Sequence, residues 1–277
     1  MLGGFMNKRS IIDIKEITFI SCLSLCYIFF NSNNSGVRIR GKAIFILMTL
    51  GSLIVVKLFR KQLEQEGKIY SNKKAIYPFI VQFLIVLGMN LYRIIYKVDF
   101  SARIESNLGK FLIILFLGAI PFVCYLFGIK MSNFKWKISL KQIIVILVVC
   151  IVYGGITVLF WDKYGLIYYS EYRGNTLTFI IYTLIKFIHP GFFEEIAYRG
   201  FLMSALLSYN IDIKKINMIQ AVVFGLTHFS LYYADYGFMG IFLTGGQALL
   251  GYVLGEIYIR TKSLTPCIIF HVFLDVI

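Results

Sequence analysis

The sequence predicts an all-α fold, a polytopic transmembrane helical bundle of about eight or nine spans. Three observations carry that expectation. Of 277 residues, 58% are hydrophobic, 17% aromatic and 15% charged, with a mean hydropathy of +0.77, far more apolar than a soluble domain. The apolar residues fall in long runs, and a helix of about 20 residues crosses a hydrocarbon core. The 28 Lys and Arg residues stand mainly in short clusters between those runs, as topology signals and headgroup contacts do. The net charge of +14 is therefore assigned to the lipid bilayer, and no nucleic acid is expected as a partner.

Taken in order, the run 16–31 follows Lys8, Arg9 and Lys15 like a signal peptide. Asn31-Ser32-Asn33-Asn34 offers no small-residue cleavage site, so an uncleaved span is expected, with Met6 as an alternative start. Runs 43–59, 75–96, 108–129 and 138–160 follow, and residues 1–175 read as scaffold helices with almost nothing ionisable inside them. Run 176–208 is too long for one straight crossing, and Pro190 lacks a backbone donor, so a kink or division is expected near His189-Pro190. Runs 216–233 and 238–259 complete the bundle. Run 264–277 is too short to cross fully, which predicts a helix ending within the bilayer or a chain lacking its tail.

With the N-terminus placed in the cytoplasm, the inner segments hold Lys8, Arg9, Lys15, the bases of 57–74 and 130–141, Lys214, Lys215, Arg260 and Lys262. The outer segments hold Arg38, Arg40, Lys42, Arg93, Lys97, Arg103, Lys110, Lys163 and Arg173, the smaller set. That excess favours a cytoplasmic N-terminus. Cys22, Cys26, Cys124, Cys150 and Cys267 lie in apolar runs without a CxxC pair. They are expected to be buried small hydrophobes rather than disulfides or zinc ligands.

The last third, 176–277, differs in kind. It holds all three histidines, His189, His228 and His271, and the intramembrane acids Glu194, Glu195 and Asp275. Ionisable groups at membrane depth are functional candidates by default. On a helix, Glu195 reaches Arg199 at i,i+4, while the adjacent Glu194 faces elsewhere. Glu195 is thus expected to be structural and Glu194 free to act as a base. Phe224 lies four residues before His228 and would stack beneath its ring; His271 and Asp275 share a face by the same spacing. At about 1.5 Å rise per residue, counting from inner ends at 208, 216 and 263 puts Glu194, His228 and His271 roughly 21, 18 and 12 Å deep. They would meet in an interior cavity of the C-terminal third. His189 is read as a partner for carbonyls freed at the Pro190 kink, Gln247 as a bond across helices, and Glu256 as a partner of Arg260.

Together, Glu194-Glu195-x-x-x-Arg199, Phe224-x-x-x-His228 and His271-x-x-x-Asp275 resemble the motifs of the CAAX protease and bacteriocin-processing (CPBP, Abi) family of intramembrane endopeptidases. The resemblance covers about residues 176–277 and leaves the preceding helices unexplained. It implies hydrolysis of a peptide bond in a membrane-associated peptide or protein, in an all-helical fold. Glu194 and His228 would activate the attacking water, His271 and Asp275 would stabilise the oxyanion, and Glu195 and Arg199 would hold the site. Position 275 is asparagine in the eukaryotic prenyl-protein enzymes. An ionised Asp275 cannot donate to an oxyanion, so it would orient His271, carry a proton, or complete a metal shell.

Glu194, His228 and His271 would suit a divalent metal such as zinc, and the family implies either metal-dependent or glutamate-dependent chemistry. Residue usage points to a bacterial cell membrane, and the family then suggests bacteriocin or pheromone processing, or self-immunity. Two other classes fit the same residues. A non-catalytic scaffold or immunity protein would bind a partner through the cavity, and a coupled transporter would use the acids and histidines as a relay. The confinement of the intramembrane acids to one third, without a matching half, disfavours the transporter.

Overall fold

A computed structural model of the chain describes residues 13–29, 39–96, 119–160 and 175–277. Among them the architecture is all-helical, with one isolated parallel bridge between Lys135 and Ser263 and no strand. The helices are α1 (Ile14–Phe29), α2 (Ile39–Leu58), α3 (Ile76–Tyr96), α4 (119–126), α5 (Leu140–Phe160), α6 (Thr176–Lys186), α7 (193–207), α8 (Ile213–Leu226), α9 (Phe229–Tyr236), α10 (Thr244–Thr261) and α11 (Leu264–Val276). Five helical stretches are long and apolar enough to cross a membrane: Gly41–Leu58, Lys73–Tyr96, Leu140–Leu159, Thr176–Leu207 and Gly237–Thr261. α1 and α11 are shorter. Residues 108–118, Met6, Lys8, Arg9, Arg38, Lys97, Arg103, Lys110, Lys163 and Arg173 lie outside the described residues.

The long run beginning at Thr176 divides where expected. Pro190 interrupts it, and His189 adopts extended angles of φ −140° and ψ 121°. On either side of residues 193–195 the chain makes wide π-type turns, Phe187–Phe192 and Ile196–Leu202, a deviation that often accompanies functional sites. Asn175 caps the start of α6 by accepting from the Thr178 amide, and Asp212 caps α8 by accepting from Lys214 and Lys215.

The run 216–233, expected as one span, is two helices broken at Thr227-His228. The cause is local: Thr227 Oγ1 and His228 Nδ1 both bond the Phe224 carbonyl, at 2.8 Å each. The His228 amide turns to Gly225 O at 2.9 Å instead of continuing the α-helical ladder.

α10 is the hub of the bundle. It packs on α8, on α1 and α2, and on α11, while α2 also lies along α5. Small residues permit that approach: a Cβ on Gly255 would lie 1.8 Å from Asn217 Oδ1, and one on Gly225 would lie 2.7 Å from Thr244 O. α10 ends at Lys262, whose left-handed φ of 54° turns the chain into α11.

Several expectations for the N-terminal part require correction. Lys57 is not a loop base: it is 5% exposed at the end of α2, with Nζ 2.8 Å from Glu16 Oε1 and 3.1 Å from Glu256 Oε1. Tyr252 donates to the same Glu16 oxygen at 2.6 Å, and Arg260 pairs with Glu256 at 2.7 Å, as expected, and with Glu64 at 3.4 Å. The scaffold helices therefore share a buried ionic network with α10. Lys42 likewise lies within α2, buried, with Nζ 5.8 Å from the Tyr27 ring centre. Cys124, Cys150 and Cys267 are buried, but Cys22 and Cys26 are exposed on α1. Thiols are apolar enough to face lipid as readily as core.

Candidate active site

α7 carries two adjacent carboxylates in unlike surroundings. Glu195 is fully buried, and its Oε1 accepts from Arg199 NH1 at 2.9 Å, the expected i,i+4 pair. The same oxygen accepts from His271 Nδ1 at 2.7 Å, a contact the sequence spacing did not reveal. Arg199, also fully buried, sends NH2 to the Gly251 carbonyl at 2.9 Å, where Gln220 joins it at 2.8 Å. Gln220 is held in turn by Asn217, which donates to Tyr252 O at 3.2 Å. Three helices, α7, α8 and α10, are thus pinned at one carbonyl. Glu195 Oε2 and Arg199 Nε, also buried, have no hydrogen-bond partner, so this buried charge is held by the bonds to Glu195 Oε1 and to the Gly251 carbonyl.

Glu194 points elsewhere. Its side chain is 21% exposed, and Oε2 is buried with no hydrogen-bond partner. That oxygen lies 3.8 Å from His271 Nε2, too far for a direct bond and close enough for one water to touch both. Because a carboxylate can only accept, the proton shared with Glu195 sits on His271 Nδ1, and Nε2 is the ring nitrogen turned toward Glu194.

His228 is oriented in the same manner. Its Nδ1 donates to the Phe224 carbonyl at 2.8 Å, which frees Nε2. The Phe224 ring stands between the two imidazoles, 4.8 Å from His228 and 6.0 Å from His271 between centroids, with the Arg199 guanidinium 4.9 Å from its centre. Phe224 therefore supports both histidines. Asp275 projects from the same side of α11 as His271; its Oδ2 is buried without a partner, and its carboxyl interacts electrostatically with His271, Lys186, Glu194 and His228. The structure thus gathers Glu194, Glu195, Arg199, Phe224, His228, His271 and Asp275 into one cluster. His189 stands at its edge, 6.4 Å from the Phe193 ring.

Further residues join the site that sequence reasoning passed over. Tyr198 OH and Thr227 Oγ1 are 2.8 Å apart. From α3, Gln82 donates to Phe193 O at 2.7 Å and Asn90 donates to Thr227 O at 2.8 Å. The signal that could have found them is their isolation as amides in an apolar run. Beside Thr227 lies a groove of about 410 Å³, lined almost wholly by apolar groups including Phe83, Leu87, Leu226, Phe229 and Phe238. Part of its wall is α3, so it is not confined to the C-terminal third.

Among the described residues, no group of three or more His, Cys, Asp or Glu side chains stands close enough to share one ion. As placed, Glu194, His228 and His271 do not form a ready coordination shell, which requires donors about 2.0–2.2 Å from a common centre.

Fold and site together define a helical protein of membrane-spanning character, with a buried Glu195–His271 pair and a partly buried Glu194 and His228 in its C-terminal part. Residues 176–277 match the model of the type II CAAX prenyl endopeptidase Rce1-like family, a family of CAAX proteases, over the segment that carries every motif named above. No curated protein and no solved structure matches the chain.

Proposed function

We propose that the chain is an intramembrane endopeptidase that hydrolyses a peptide bond of a membrane-associated peptide or protein. The observation that carries this reading is the unpartnered, buried Glu194 Oε2 facing His271 Nε2 across 3.8 Å, beside a twin carboxylate already committed to Arg199 and His271 Nδ1. Glu194 acts as general base. It takes a proton from a water that His228 Nε2 helps to orient, and the water attacks the scissile carbonyl. The doubly protonated His271 offers Nε2–H to the developing oxyanion while Glu195 keeps Nδ1–H. Asp275, in its protonated form, adds a second donor. The proton gained by Glu194 then passes to the leaving amine.

The apolar groove beside Thr227 supports a substrate with an apolar segment near the cleaved bond. The substrate class remains a membrane-associated peptide, with bacteriocin or pheromone processing or self-immunity as the biological setting and a bacterial membrane with cytoplasmic N-terminus as the location. The test is purified protein in bilayers incubated with membrane peptides, with products read by mass spectrometry. Discrete fragments from wild type, absent with His228→Ala, support the reading. Full biological activity of that variant without cleavage would instead support a non-catalytic scaffold.

A further inference from the structure

α3 lies outside the matched segment, yet it grips the site at two points. Gln82, 3% exposed, donates Nε2 to the Phe193 carbonyl at 2.7 Å. Two turns further on, Asn90 donates Nδ2 to the Thr227 carbonyl at 2.8 Å, and its Oδ1 accepts from Ser230 Oγ in α9. Each bond lands on the residue immediately before a candidate catalytic side chain, Phe193 before Glu194 and Thr227 before His228.

A carbonyl shares its rigid plane with the following amide. Fixing the Phe193 carbonyl therefore fixes the peptide plane from which Glu194 departs, and fixing that of Thr227 does the same for His228. Both planes lie where regular helix has failed: Phe193 lies between two wide turns, and Thr227 lies in the break between α8 and α9. At such places the helix ladder alone does not set the direction of a side chain. The spacing of eight residues along α3 corresponds to about 12 Å, so one continuous helix holds both irregular segments.

We infer that Gln82 and Asn90 are positioning residues that set the relative placement of Glu194 and His228, making α3 part of the catalytic apparatus rather than a lipid-excluding scaffold. This inference rests on the peptidase reading above, and its test separates the two. Gln82→Met and Asn90→Leu remove the donors at similar volume. Gln142→Met is the control, because Gln142 makes the same kind of buried bond, to Leu63 O at 2.8 Å, away from the site.

With a peptide that wild type cleaves, each α3 variant is expected to lower kcat at least about tenfold with KM little changed, since misplacement of a catalytic group by about 1 Å costs up to 10²-fold. The control retains wild-type kcat. Amide hydrogen exchange in nanodiscs supplies a second readout independent of turnover. Gln82→Met is expected to accelerate exchange in 191–199, and Asn90→Leu in 225–231, with the remaining helices unchanged. Wild-type kcat in both α3 variants, or a rise in exchange spread across all helices, overturns the inference. If wild type cleaves no peptide, the peptidase reading fails, and the exchange pattern alone decides whether α3 holds these segments.

Discussion

Replacing Glu195 by Leu tests the buried centre most severely. The substitution leaves Arg199 fully buried without its 2.9 Å partner and deprives His271 Nδ1 of its 2.7 Å acceptor. Breaking a buried ion pair by removing one partner costs about 3–5 kcal/mol, and an orphaned buried donor costs about 1–3 kcal/mol more. At about 2–4 °C per kcal/mol for a domain of this order of size, the apparent melting temperature should fall by at least about 8 °C. The assay is thermal unfolding of purified protein in detergent at fixed scan rate, because large membrane proteins often unfold irreversibly.

Glu195→Gln should lose less, since both bonds fall on one oxygen and an amide oxygen there still accepts them, with only the negative charge removed. Glu195→Leu combined with Arg199→Met should recover much of the loss, because no charge is then left unpaired. A Glu195→Leu melting temperature within about 3 °C of wild type would refute the assignment of this pair as the structural centre.

Other substitutions probe separate parts of the account. Lys57→Met should destabilise by about 3–5 kcal/mol by leaving Glu16 and Glu256 buried without their shared cation, read as a lowered melting temperature. Gly255→Ala should separate α8 from α10, because the new methyl would meet Asn217 and Gln220; the expected loss is about 1–3 kcal/mol. Peptidase activity should survive prolonged chelation, and added zinc should not raise it. Zinc-restored turnover after chelation would instead assign Glu194, His228 and His271 to an ion.

The helical class and the short-range pairings of the last third were legible because both depend on local information. Apolar run length reports helices, and i,i+4 spacing reports pairs such as Glu195–Arg199 and Phe224–His228. Pro190 marked its own break. The break at Thr227-His228 was not visible, since it comes from two side chains competing for one carbonyl inside an apolar run. Contacts between distant positions were hidden as well: Glu195 to His271, Lys57 to Glu16 and Glu256, and Gln82 and Asn90 to the carbonyls of Phe193 and Thr227. Lys57 was misread because a cation at a helix end usually reaches water, whereas here α1 and α10 each bring an acid to it.

The central claim is that Glu194 is the base. It is tested most directly by the turnover of Glu194→Gln on a membrane peptide that wild type cleaves, with matching melting temperatures showing that both proteins are folded. The account predicts a loss of at least about 100-fold, the contribution of a positioned general base. Turnover within about twofold of wild type would contradict it.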